Sequence, residues 1–229
     1  MERIDFPSGF YSKNGLRAYV RKDTDDFHLL FTPREEKIHP HLQMNSGETF
    51  VDVGANVGYY SLMTALENKD NDVKVVAIEA HPETYSALLR NIECNGLEEI
   101  ITINMAVADK KQEMVMYEKH TTEGIQMAGN SSICEVFDEE KSIHVQCDTL
   151  DSILAGYKAD VLKMDIEGAE LMALAGASRV LRGLRKIVVE IHGDNLAAVQ
   201  SILEDNGFEI TVIPYELNSY VIGTKPAHP

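Results

Sequence analysis

The sequence predicts an α/β fold built on a doubly wound, largely parallel sheet with a mixed edge. Three observations carry this. From Glu48 onward, short apolar runs rich in β-branched residues alternate with runs of helical period. The strand candidates are continuously apolar, which marks strands buried on both faces between helical layers. The last two runs are separated by only a few residues and form most simply an antiparallel pair.

The elements follow in order. "ETFVDVG" reads as a buried strand, and "YYSLMTALEN" as a helix with Tyr59, Leu62, Met63 and Leu66 on one face. "VKVVAIEA" is a second strand. Pro82 opens the next helix, where its missing N–H costs nothing. Tyr85, Leu88, Leu89 and Ile92 form its apolar stripe and Gly96 closes it. "ITINMAVA" is a third strand.

Residues 109–148 break the rhythm. "EMVMYEKH" and "SIHVQCDTL" read as strands separated by a polar loop at 124–132, an inserted antiparallel excursion. Alternation then resumes with the strand "ADVLKMDI", one helix over "GAELMALAGASRVLRGL" carrying Leu171, Leu174 and Ala175, and the strand "KIVVEIH". The helix "NLAAVQSILEDNG" is expected to be capped by Asn195 and stopped by Gly207. "FEITVIP" and "SYVIGTK" close the chain. Residues 1–48 lack this rhythm and are read as an N-terminal cap on a domain over 49–229.

Charge narrows the function. The net charge is −16, and residues 1–48, with seven Lys/Arg against eight Asp/Glu, carry almost none of it. An acidic surface repels phosphate backbones, so nucleic acid is an unlikely partner. The three cysteines, Cys94, Cys134 and Cys147, have no CxxC spacing and predict neither a disulfide framework nor a cysteine zinc site. With no long apolar run and no apolar core in "MERIDFPSGF", the expectation is a cytoplasmic protein without a membrane span.

In open α/β sheets ligands bind beyond the carboxyl ends of the strands. The first such turn is "FVDVGANVGYY". Gly54 and Gly58 let the backbone approach a ligand closely. The spacing D-x-G-x-N-x-G differs from the G-x-G-x-x-G that prepares a helix for a pyrophosphate, which argues against a nicotinamide-dependent dehydrogenase. Glu79 ends the second strand, where a carboxylate can accept both hydroxyls of a ribose.

Lys163 and Asp165 point to one side of their strand. Glu167 and Glu170 lie near a helix start, where carboxylates favour the positive helix end. Glu190 and His192 end the next strand, and a carboxylate with an imidazole can deprotonate a hydroxyl. They can also bind a divalent metal, but no H-E-x-x-H or comparable cluster exists, so no metal is expected.

Taken together, "FVDVGANVGYYSLMTA", "AIEAHPETYSALLRNIECNG", "NMAVAD", "TLDSI", "VLKMDIEGAE" and "IVVEIH" resemble the FkbM family of methyltransferases in order and spacing, as does the upstream "YVRKDTDD". The resemblance covers about residues 19–192. It implies the Rossmann-like, seven-stranded core of class I methyltransferases and S-adenosylmethionine (SAM) as cofactor. It implies that the turn Asp52, Gly54, Asn56 and Gly58 cradles the methionine part and that Glu79 takes the ribose. Ala80 and His81 would border the adenosine, Ala106 and Val107 the adenine, and Asp165 would face donor and acceptor. O-methylation of a small molecule or sugar is the implied reaction, with Asp165 or His192 as base and Glu190 orienting it. The alternatives are a SAM- or nucleotide-binding module without transferase activity and an RNA methyltransferase. The sequence is silent on oligomeric state.

Overall fold

A computed structural model of the chain describes residues 6–32, 36–121, 124, 126–127, 131–135, 141–215 and 218–226. The N-terminal segment opens with a hairpin of β1 (Gly9–Lys13) and β2 (Leu16–Val20), followed by the short helix α1 (Asp26–Phe31) and a 3₁₀ turn at His39–Leu42. Then come β3 (Thr49–Val53), α2 (Tyr59–Glu67), β4 (Lys74–Glu79), α3 (Pro82–Cys94), β5 (Ile101–Asn104) and β6 (Ala106–Val107). The excursion contributes β7 (Gln112–Tyr117) and β8 (Ser142–Asp148). After α4 (Leu150–Ile153) the chain runs through β9 (Val161–Met164), α5 (Glu170–Ala175), α6 (Ser178–Gly183), β10 (Lys186–Ile191) and α7 (Leu196–Asp205) to β11 (Glu209–Tyr215) and β12 (Asn218–Thr224).

The main sheet has seven strands in the order β11-β12-β10-β9-β3-β4-β5. β3, β4, β5, β9 and β10 are parallel, and β12 is antiparallel to both of its neighbours. The chain winds outward from β3 through β4 and β5, then returns to β3's other side with β9. The strand order reverses between β3 and β9, so the crevice at their carboxyl ends is where such a sheet binds ligands.

Alternate residues of each strand feed two cores. Phe50 and Val188 face one layer with Leu62 and Leu88, while Val51, Val53, Leu162 and Met164 face the other with Leu174 and Leu203. Leu16, Ala18, Val20, Leu30 and Ile38 join the first core, so the N-terminal segment packs outside α2 and α3. β2 would present an open edge there, and α3 closes it with two asparagines one turn apart. Asn91 Oδ1 accepts the Tyr19 N–H at 2.7 Å, and Asn95 Oδ1 accepts the Arg17 N–H at 3.1 Å. Asn91 is fully buried and its Nδ2 also donates to the Val57 carbonyl at 2.8 Å. Asn91→Ala therefore strands one buried and one half-buried backbone group and should cost about 2–3 kcal/mol, read as a lower urea midpoint at unchanged slope.

At the other end of the strands, Arg185 donates two bonds to Glu48, at 2.7 and 2.6 Å. Burial alone would raise the Glu48 carboxyl, but the Arg185 bonds and those from Asn45 outweigh it and hold it down at about 2. A depressed carboxylate contributes stability that is present above its unfolded value and lost as pH falls through the folded one. Stability should therefore drain between about pH 5 and pH 2. In Arg185→Ala that decline should be shallower by roughly 1 kcal/mol, since the pair is partly solvated; urea unfolding near neutral pH and near pH 3 checks it.

Four local readings change. "ITINMAVA" is two strands, because Asn104 Nδ2 bonds the Glu79 and Ala80 carbonyls at 2.8 and 3.0 Å and β6 leaves to pair parallel with β8. The single helix after β9 is two, α5 and α6. The break falls where Gly176 packs so close to the Ala108 carbonyl that a Cβ would lie 2.6 Å from it, and Asp151 caps α6 through the Arg179 and Val180 N–H groups. Asn195 precedes α7 but does not cap it; its amide donates instead to Glu170. The buried face of α2 is Tyr60, Ser61, Leu62, Thr64 and Ala65, and in α3 Leu89 is exposed while Thr84, Ala87 and Asn91 are buried. Both helices carry the N-terminal segment as well as the sheet, so polar residues face partners that a one-sided stripe does not anticipate. Parts of the loop over 124–132, and the turn at 216–217, lie outside the described residues. Among the described residues no helix is long and apolar enough to cross a membrane.

Candidate active site

The turn after β3 is built on left-handed backbone. Gly54, Asn56 and Gly58 have φ of 78°, 52° and 100°. A Cβ on Gly54 would collide with the Asp165 carbonyl oxygen, and one on Gly58 would lie 2.7 Å from Leu88 Cδ1. Glycine is therefore required at both positions by conformation and by space. Asn56 tolerates its backbone because its own Oδ1 accepts the Val57 N–H at 2.7 Å.

Asp52 lies beneath this turn. It is fully buried, accepts the Ser61 hydroxyl at 2.7 Å, and does not line the cleft above it. Burial pushes its carboxyl up, partly offset by Lys163 and Ser61. The family motif's acid thus underpins the turn from below.

Glu79, at the end of β4, is the hub of the cleft. Its Oε2 accepts the Asn56 N–H and its Oε1 the His81 N–H, both at 2.8 Å. Burial pushes its carboxyl up, and those backbone bonds counter it. Each oxygen keeps a second lone pair. The cleft encloses about 610 Å³, solvent at its mouth included, and Gly54, Asn56, Glu79, Ala80, Ala106 and Val107 line it. Met116 and Ile133 of the excursion close its apolar side.

His81 turns away from the cleft. It is 2% exposed, and its Nε2 meets Glu118 Oε1 at 2.8 Å while Glu118 Oε2 takes His120 Nε2 at 2.9 Å. Its backbone serves Glu79; its side chain fastens the excursion to the start of α3.

A second cavity, of about 650 Å³, opens on the other side of the turn. Asp25 and Leu29 come to it from the N-terminal segment, Tyr59 and Tyr60 from α2, and Lys163, Glu190 and Asn218 from the sheet. The two cavities share Gly54, Asn56, Asp165 and Glu167. Asp165 is thus at their junction, with Lys163 Nζ donating to its Oδ2 at 3.1 Å. The Lys163 ammonium also lies 4.7 Å from the centre of the Tyr60 ring.

His192 sits behind the junction among carboxylates. Its Nδ1 is 2.9 Å from Glu170, and its Nε2 is 3.4 Å from Glu167, 3.9 Å from Glu190 and 4.0 Å from Asp165. Burial would lower its pKa, but Glu167 and Glu170, with Asp165, push it up to about 11. These carboxylates favour the charged imidazolium, so of the two candidate bases Asp165, at the junction of the cavities, is the better placed. Glu190 is held by Asn218 Nδ2 at 2.8 Å and the Tyr220 hydroxyl at 2.9 Å.

Several site residues escaped the sequence reading. Glu167 was expected near a helix start, yet α5 begins at Glu170 and Glu167 adopts φ of 50°, lining both cavities. The signal was Gly168 directly after it, which marks a left-handed turn rather than a helix. Glu170, fully buried, bonds the Gly168 N–H and His192. Asp25 belongs to the upstream "YVRKDTDD", which gave no site role to any one residue, and the excursion residues carry no motif; both reach the cavities by packing. Gln126 joins both, its N–H bonding the Asp23 carbonyl and its carbonyl taking the Asp25 N–H.

A family model described as the methyltransferase FkbM domain matches residues 52–210. Methyltransferase sdnD of Sordaria araneosa is 27% identical, over 72% of this chain and 75% of that protein. Among solved structures, methyltransferase FkbM from Methylobacillus flagellatus KT aligns with a TM-score of 0.58 and 18% identity over 86% of this chain. The chain spans about half of that longer structure, 47%. TYW2 of P. horikoshii, solved in complex with MeSAdo, aligns with a TM-score of 0.51 and 15% identity over 94% of this chain and 69% of that one. At these identities the two structures speak for the fold.

Proposed function

This chain belongs to the FkbM methyltransferase family, and from that membership and its paired cavities we propose that it moves the methyl group of SAM to a hydroxyl of a small molecule. The observation that carries the proposal is the junction: two cavities, from opposite sides of one glycine turn, meet at Asp165. A direct displacement needs such an arrangement, with the acceptor aligned behind the methyl and water kept out.

The cleft's residues suit SAM. Glu79 has lone pairs for the two ribose hydroxyls, and Ala106 and Val107, 4% exposed each, offer a flat apolar wall to an adenine. The Gly54–Gly58 turn leaves room for the methionine part at the junction. The bound sulfonium supplies an electrophilic methyl. The chain's own residues do the rest: Asp165 accepts the hydroxyl proton, Lys163 fixes its orientation, and Glu190 shapes the far wall. The carboxylates of the second cavity repel phosphate, which supports a small-molecule acceptor over RNA. Calorimetric titration of the purified protein with SAM, and separately with NAD, tests the cofactor. Micromolar SAM binding without NAD binding is expected, and the reverse would overturn the proposal.

A further inference from the structure

We propose that Asp165, Glu190 and His192 form a site for a divalent transition-metal cation in the wall of the second cavity. A carboxylate oxygen from each acid and one ring nitrogen of His192 all lie within 4.8 Å of one another. From His192 Nε2 the distances are 3.9 Å to Glu190 Oε1 and 4.0 Å to Asp165 Oδ1. These are too long for hydrogen bonds. Two donors on one ion at about 2.1 Å lie roughly 3–4 Å apart, the spacing of each acid from His192 Nε2.

The support behind the three groups is the second observation. Metal-binding residues are held in orientation by outer partners, most often a carboxylate on the remote nitrogen of a histidine. Glu170, fully buried, takes His192 Nδ1 at 2.9 Å and so turns Nε2 towards Glu167, at 3.4 Å, and the two acids beyond it. Asn218 and Tyr220 hold Glu190, at 2.8 and 2.9 Å, and Lys163 holds Asp165 at 3.1 Å. Every candidate donor thus has its own orienting group. The cavity beside Asp165 and Glu190 leaves further coordination positions open.

One imidazole with two carboxylates suits ions of the manganese-to-zinc part of the first row better than calcium. The cation would bring two positive charges to a wall crowded with Asp165, Glu167 and Glu190. Its role rests on the methyltransferase reading: a cation bound there would make an acceptor hydroxyl in the second cavity more acidic and ease the loss of its proton to Asp165. Its existence does not rest on that reading, so the test uses the full chain with neither SAM nor acceptor.

The probe is Mn²⁺, followed by the electron-spin resonance of the free ion at neutral pH, with pulsed measurement of nitrogen coupling to the bound ion. One micromolar site with ¹⁴N coupling is expected. Glu190→Gln should weaken it at least tenfold, and Glu170→Gln by roughly ten- to a hundredfold through His192 alone. Circular dichroism and thermal melts confirm that both variants fold, and Glu113→Gln, at an exposed position of β7, serves as the control. Absence of a stoichiometric site would overturn the proposal. So would Mn²⁺ binding without nitrogen coupling that Glu190→Gln leaves unchanged.

Discussion

Glu79→Ala should weaken SAM binding by ~1.5–3 kcal/mol, a roughly ten- to hundredfold rise in Kd, with the fold intact. The reasoning starts from the two bonds that Glu79 already makes, to the Asn56 and His81 N–H groups at 2.8 Å each. Those bonds fix the carboxylate at the mouth of the cleft before any ligand arrives. The ribose then needs only the remaining lone pairs. Alanine removes the acceptors for both hydroxyls and also frees the Asn56 N–H at the centre of the glycine turn. Glu79→Gln keeps one acceptor oxygen and should fall between wild type and alanine. Calorimetry with SAM on the three proteins, each checked by a thermal melt, decides it. Equal affinities would show that the ribose lies elsewhere and would remove the main support for the cleft as the SAM site.

Asp165→Asn should separate binding from chemistry. Loss of a positioned general base costs ~10²–10⁴ in rate. The asparagine retains nearly the same shape and can still meet Lys163, which approaches Asp165 Oδ2 at 3.1 Å. Its backbone, whose carbonyl abuts Gly54, is unchanged. SAM affinity should therefore stay within a few-fold of wild type while methyl transfer to a hydroxyl acceptor collapses. Turnover is followed as release of S-adenosylhomocysteine. A variant with near-normal turnover would take Asp165 out of the proton path, whereas a parallel loss of SAM binding would assign it to the cofactor cleft.

Both residues were visible in the sequence. Glu79 follows from counting: it ends a strand in register with the one before it, and register places its carboxylate beside the glycine turn. Asp165 was visible in the same way, as the first residue past β9. Glu167, one turn of chain further, was not. Its acidic character near a helix suggested capping, and only the left-handed backbone at Glu167 and Gly168 carries it into the cavities. Asp52 shows the opposite error. Its place in the motif suggested a ligand contact, yet the pleat of β3 points it down towards Ser61 and Lys163.

Periodicity, glycine spacing and strand-end acids were enough, from the sequence by itself, to indicate the largely parallel sheet with its mixed edge, the turn after β3 and the strand-end positions of Glu79 and Asp165, and the resemblance of the motifs indicated the methyltransferase family. These features are local: each depends on residues within one strand and its following turn. The tertiary structure alone decided the rest. It brought Asp25 and Gln126 together, closed the cleft with Ile133, turned His81 towards Glu118, and surrounded His192 with acids from two strand ends and a helix. Those encounters join residues tens of positions apart. Their electrostatics are set by neighbours and burial, so the ring of carboxylates around His192 became legible only once the chain had packed.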